Sequence, residues 1–178
     1  KQPFNDIKGH WAQSYIQYAY DKGYINGVGN GRFAPNSTLT RGMFVTMLGR
    51  MNGVKDQPTV SGFSDVNSGD YYAAHVKWAA DQKIIEGVGN DKFAPNREIS
   101  REEMAKMIHL YLESKNVNLN TSKTTNLPDE DKLSPWAKDG VHALYNAGVL
   151  NGMPSGEFMP RGKTTRAQVT KVITKMDE

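Results

Sequence analysis

The sequence predicts a mainly α-helical chain built from three helix–loop–helix repeats, and three observations carry that prediction. The first is an internal period: Gly27-Val28-Gly29-Asn30, Phe33-Ala34-Pro35-Asn36 and Thr40-Arg41 recur 60 positions later as Gly87-Val88-Gly89-Asn90, Phe93-Ala94-Pro95-Asn96 and Ser100-Arg101. A looser third copy places Gly152, Phe158, Pro160 and Thr165-Arg166 another 65 positions on. A period of this size makes the repeat the structural unit. The second is that each copy ends in a hydroxyl residue followed by arginine, where a helix should begin. The third is an apolar stripe at i, i+3, i+4, i+7 in every following segment: Phe44, Met47, Leu48, Met51; Met104, Met107, Ile108, Tyr111; Val169, Val172, Ile173, Met176. Three equivalent stripes point to three helices facing one another.

Each repeat opens on an apolar-x-Asp step: Phe4-Asn5-Asp6, Phe63-Ser64-Asp65, Leu127-Pro128-Asp129. A first helix follows, its face marked by Trp11, Tyr15, Tyr18 and Ala19, then by Tyr72, His75, Val76 and Ala79, and more loosely by Trp136, Val141 and Leu144. Gly23 and Gly148 stand where a C-terminal cap needs glycine, with Lys83 in the matching place of the second copy. A loop punctuated by glycine and proline comes next, from which Phe33, Phe93 and Phe158 are expected to plug the core. Residues 52–60 and 116–126 read as exposed linkers. The boundaries are thus residues 1–55, 61–115 and 125–178. Units this short are near the lower limit for burying a core alone, so the three are expected to fold together.

Composition narrows the function classes. A chain with 38% hydrophobic and 23% charged residues has the makeup of a soluble globular protein. No apolar run approaches the ~18 residues of a membrane span, the sequence itself is expected to carry no signal peptide, and the chain reads as an excised module or a processed terminus. Absence of cysteine excludes disulfides and thiolate metal sites. A net charge of +3 without any Lys/Arg run argues against nucleic acid as the main partner.

Thr40, Ser100 and Thr165 are placed as helix N-caps, and Glu103 and Gln168 complete a capping box in two copies. Capping does not explain Arg41, Arg101 and Arg166, because a cation in the first helical turn opposes the macrodipole by about 0.3–1 kcal/mol. A guanidinium beside free backbone N–H groups would make a site for a carboxylate or phosphate. The competing reading is an ion pair with Asp6, Asp65 or Asp129 of a neighbouring repeat.

The ordered set of opening aspartate, aromatic-led helix, Gly-to-Phe-x-Pro loop and hydroxyl-Arg helix resembles the S-layer homology domain in three tandem copies. The family's signature tetrad Thr-Arg-Ala-Glu appears as Thr40-Arg41-Gly42-Met43, Ser100-Arg101-Glu102-Glu103 and Thr165-Arg166-Ala167-Gln168. The first copy departs from it at the fourth position. The resemblance implies a pseudo-threefold assembly, with the second helices in a central three-helix bundle and grooves between repeats. It also implies non-covalent anchoring to the bacterial cell wall through a secondary cell wall polymer, an anionic glycan often ending in pyruvylated N-acetylmannosamine. The cargo would be an exported S-layer protein or enzyme. On that reading a ketal carboxylate meets Arg41, Arg101 and Arg166 beside the capped helix starts, with Asp6, Asp65 and Asp129 nearby. Trp11, Tyr71 and Trp136 either carry the sugar ring or pack. Gly27, Gly87 and Gly152 either admit the ligand to the backbone or serve a turn.

Other classes fit less well. Glu102/Glu103 and Asp129/Glu130/Asp131 read as cap residues and a solvated linker rather than as an acid/base pair, so no catalysis is expected. No cofactor or metal is expected either: His10, His75, His109 and His142 form no i, i+4 pair, and an EF-hand register from Asn30 or Asn90 would put Arg41 or Arg101 where a bidentate glutamate is required. Self-association into a surface lattice and a non-catalytic part of a secreted glycoside hydrolase stand as alternatives. The expected partners exclude nucleic acid and membrane insertion, and the chain is expected to be a monomer.

Overall fold

A computed structural model describes residues 3–119 and 126–177; part of the predicted linker at 116–126 lies outside that range. The chain is mainly helical, with α1 Gln13–Asp21, α2 Arg41–Met51, α3 Ala73–Asp81, α4 Arg101–Ser114, α5 Lys138–Asn146 and α6 Arg166–Asp177. Two single 3-10 turns, Glu130–Lys132 and Pro135–Ala137, lead into α5. Among the described residues no strand forms, only isolated bridges.

The caps fall where the hydroxyls predict. Thr40 Oγ1 accepts from the Met43 amide at 3.1 Å, Ser100 Oγ from Glu103 at 3.2 Å and Thr165 Oγ1 from Gln168 at 3.0 Å. Glu103 and Gln168 reach back to the amides of Ser100 and Thr165, closing both predicted capping boxes. At the ends of the first helices Gly23, Lys83 and Gly148 all adopt positive φ. Lys83 therefore takes a left-handed conformation that glycine holds without strain in the other two copies.

The stripe on each second helix is buried as its spacing predicts, apart from the half-buried Met51 and Met176. The face predicted for the second repeat's first helix, Tyr72, His75, Val76 and Ala79, is buried as expected, but the tryptophans of the other two are not. In the first repeat the buried residues are Ile16 and Ala19 of α1 and Ala12 just before it, whereas Trp11 is 57% exposed; in the third repeat Ala137, Val141 and Leu144 are buried and Trp136 is 49% exposed. Both tryptophans precede the helix they were expected to lead, so helical spacing does not apply to them. Phe33, Phe93 and Phe158 are fully buried, as core plugs should be.

The helices that pack closely are not partners within a repeat. α2 lies on α3, α4 on α5, and α6 returns to α1, so every second helix covers the first helix of the next repeat in cyclic order. The buried stripes of α2, α4 and α6 belong to one continuous core, while the closest backbone approaches are those between successive repeats. Close packing carries these pairings. A Cβ at Gly49 of α2 would collide with the buried His75 ring of α3, and one at Gly140 of α5 would lie 3.2 Å from the Ala105 carbonyl of α4. Small residues at these crossings bring one repeat's backbone against the next.

Short main-chain bridges complete the ring. Thr38 pairs with Thr165, Thr40 with Glu98 and Ser100 with Lys163. Between them Leu39, Ile99 and Thr164 are buried at equivalent places, and Thr164 Oγ1 has no hydrogen-bond partner among the described residues. An unpaired buried hydroxyl costs about 1–3 kcal/mol. Thr164→Val, which keeps the shape and matches the aliphatic residues in the other two copies, is expected to stabilise the chain by about 1 kcal/mol in urea unfolding; a loss of stability would show that the hydroxyl is satisfied.

Candidate ligand-binding grooves between repeats

The opening aspartates and the signature arginines build each groove from below. Asp6 accepts from the amides of Phe33 and Ala34 at 2.8 Å each, Asp65 from Phe93 and Ala94 at 2.9 and 2.8 Å, and Asp129 from Phe158 and Met159 at 2.9 and 2.8 Å. These bonds fix Ala34, Ala94 and Met159 at positive φ. Burial alone would raise the three carboxyl pKa values, but the pair of amides each accepts from, with a nearby cation, holds them lowered.

With its amide tied down, each phenylalanine turns its carbonyl toward the preceding repeat's arginine. Arg41 Nε donates to Phe93 O at 3.0 Å, Arg101 Nε to Phe158 O at 2.8 Å and Arg166 Nε to Phe33 O at 2.8 Å. Each guanidinium also lies over the ring of the same phenylalanine, 4.5–4.6 Å from its centroid. Nη2 of Arg101 and Arg166 donates to the carbonyls of Asn151 and Asn26. The arginines are 4–8% exposed. Burial draws their pKa down, yet an arginine stays charged in a protein.

Two readings of the sequence are corrected here. The competing ion pair with an opening aspartate does not form, because each arginine bonds to loop carbonyls of the next repeat and the aspartates are occupied by amides. Nor are the helix starts free donors for an anion. The amides of Arg41 and Gly42 donate to Arg97 and Pro95, those of Arg101 and Glu102 to Gly162 and Pro160, and those of Arg166 and Ala167 to Ser37 and Pro35. The cap hydroxyls take the third amide. Thr40, Ser100, Thr165 and the three aspartates thus shape the loops and do not line the grooves.

Three grooves of about 320, 140 and 210 Å³ run between repeats on one plan. One wall is a loop containing Gly27, Gly87 or Gly152, the next a flank of α2, α4 or α6, and the third an aromatic from the following repeat. At the base is the arginine of the preceding repeat. Arg166 thereby meets Gly27, α2 and Tyr71; Arg41 meets Gly87, α4 and Trp136; Arg101 meets Gly152, α6 and Trp11. Tyr71 is 47% exposed and, like both tryptophans, lies half open to the groove. The glycines answer to their own loops, for a Cβ would lie 2.6 Å from Arg32 O at Gly27, 2.8 Å from Lys92 O at Gly87 and 3.1 Å from Glu157 O at Gly152.

Sequence reasoning missed the helical flank of each groove. It consists of Met43, Thr46, Met47 and Arg50; of Glu103, Lys106, Met107 and Leu110; and of Gln168, Lys171, Val172 and Lys175. These positions recur at i, i+3, i+4, i+7 from the residue three after each cap, one step round from the buried stripe. The signal was present in the repeat alignment, but Met47, Met107 and Val172 read as the core stripe, and Glu103 and Gln168 as cap residues.

The S-layer homology domain model matches residues 3–42, 62–105 and 126–170. The chain is 34% identical over 174 residues to an amylopullulanase of Thermoanaerobacterium thermosulfurigenes, covering 96% of this chain and 9% of that protein. It is 33% identical over 171 residues to the exoglucanase XynX of Acetivibrio thermocellus, covering 96% of this chain and 16% of that enzyme. It is also 28% identical over 180 residues to the S-layer protein EA1 of Bacillus anthracis, covering 98% of this chain and 20% of that protein. The chain therefore spans a fifth or less of these relatives, enzymes and surface-layer protein alike. Three ordered matches over most of its length make this chain a member of the S-layer homology domain family, with three tandem copies.

Proposed function

We propose that the chain is a non-catalytic anchoring module that binds a pyruvylated secondary cell wall polymer in the grooves between its repeats and so tethers an exported S-layer protein or enzyme to the bacterial surface. A cell-surface location follows from family membership; the glycan and the cargo are the proposal. The observation that supports it is the threefold recurrence of one recognition set: a nearly buried guanidinium at the base, a half-exposed aromatic on one wall and a close-packed glycine loop on the other.

The chemistry of a pyruvate ketal matches that set. Its carboxylate would meet the open edge of the arginine, already oriented by carbonyls of the loop. The aromatic face would carry the sugar ring, and apolar side chains such as Met47, Met107 and Val172 would lie against methyl groups. Because the helix-start amides are already bonded, the guanidinium carries the carboxylate readout without them.

A charge-assisted hydrogen bond is worth about 1.5–3 kcal/mol, or roughly tenfold to 150-fold in affinity. The pyruvylated N-acetylmannosamine glycoside is therefore expected to bind at least about tenfold more tightly than the same saccharide without pyruvate in calorimetric titration. Added salt should weaken binding only modestly, since one carboxylate is engaged in a partly enclosed groove. Equal affinity for the two saccharides would overturn carboxylate recognition.

A further inference from the structure

We infer that the three grooves are unequal and that the third, between α6 and Trp11, is the chain's principal anion site, selected by Lys171 and Lys175. The inference rests on the anchoring reading and adds which groove carries it. In the first groove Arg50 lies with its own counterion: Nη2 bonds to Asp56 at 2.7 Å, and Asp56 also meets His75 Nε2 at 2.6 Å. In the second, Arg41 Nη1 is held by Glu103 at 2.8 Å, and Glu86 lines the same cleft. Lys106 there lies 5.5 Å from the Trp136 ring centroid, over the surface a sugar would use.

The third groove lacks these neutralising groups. Arg101, Lys171 and Lys175 line it, and no carboxylate is among its lining residues. The repeat explains why. Gln168 stands where the second copy has Glu103, and Asn151 where it has Glu86. Gln168 Oε1 is turned away to the Thr165 amide, and the bonds of Arg101 run through Nε and Nη2 to carbonyls. Nη1 is without a hydrogen bond among the described residues, whereas Nη1 of Arg41 is held by Glu103 and that of Arg166 faces Met43 Sδ at 3.8 Å. Lys171 and Lys175 are one turn apart on α6, so their repulsion is relieved when an anion enters between them and Arg101.

The three tryptophans make the distinction measurable, since Trp11 lies in the third groove, Trp136 in the second, and Trp78 packs inside against Tyr111. In fluorine NMR of the chain carrying 5-fluorotryptophan, titrated with a pyruvylated N-acetylmannosamine glycoside, the Trp11 resonance is expected to move at the lowest concentration. Lys171→Gln/Lys175→Gln should raise its midpoint on the order of tenfold, as two partly exposed charge contacts would, and leave the Trp136 response in place. If Trp136 titrates first, if the double variant leaves the Trp11 midpoint unchanged, or if calorimetry detects binding while neither resonance moves, the inference is overturned and the anchoring reading stands. Absence of binding by both methods overturns the two together.

Discussion

An excised single repeat, residues 61–115, is expected to be unfolded in water, although it contains one complete copy of the motif. In the intact chain α3 is covered by α2 of the repeat before it, and α4 covers α5 of the repeat after it. Both helix pairings vanish on excision. The amides of Arg101 and Glu102 lose the Gly162 and Pro160 carbonyls, and the guanidinium loses Phe158 and Asn151. What remains are helices of 9 and 14 residues, lengths at which isolated helices are marginal. Circular dichroism of the fragment should show little helix, while the intact chain melts in one transition followed alike by far-ultraviolet and tryptophan signals. A fragment that melts cooperatively near the temperature of the whole chain would show that the ring is not what holds the repeats.

This dependence is the part of the fold that sequence could not supply. Caps and stripes were legible because their partners are three or four residues away, as in Ser100 with Glu103. Arg166 bonds to Phe33, 133 residues earlier, and three similar repeats offer every second helix three candidate first helices. Periodicity cannot choose among them. Asp65 was misassigned for a related reason: its amide partners lie 28 and 29 residues on, inside a loop whose left-handed Ala94 has no compositional mark. Trp11 and Trp136 fit helical spacing by chance and were placed on a helix face, while the resemblance left them either to carry a sugar ring or to pack; in the folded chain each is a wall of a neighbouring groove. The arginine, glycine and aromatic of each groove were all visible in the repeat, but that they come from three different repeats was not.

Arg101→Ala is expected to cost about 3 kcal/mol or more in folding, a larger effect than lost ligand contact alone would produce. Two charge-assisted hydrogen bonds disappear, to Phe158 O at 2.8 Å and to Asn151 O, and hydrogen bonds to charged groups contribute about 1.5–3 kcal/mol each. The contact over the Phe158 ring goes with them, and the carbonyl of a fully buried phenylalanine loses its donor. For a chain of this size the melting temperature should fall by roughly 6–12 °C. Arg101→Lys should recover only part of the loss, because an ammonium keeps the charge but cannot span two carbonyls with a planar fork. A fall of less than about 2 °C for the alanine variant would mean that the guanidinium does not join the second repeat to the third. Binding by the alanine variant must then be read at a temperature where it is fully folded. There, a further affinity loss on the order of tenfold or more would be the part owed to the ligand, since the guanidinium that staples two repeats through Nε and Nη2 also lines the groove.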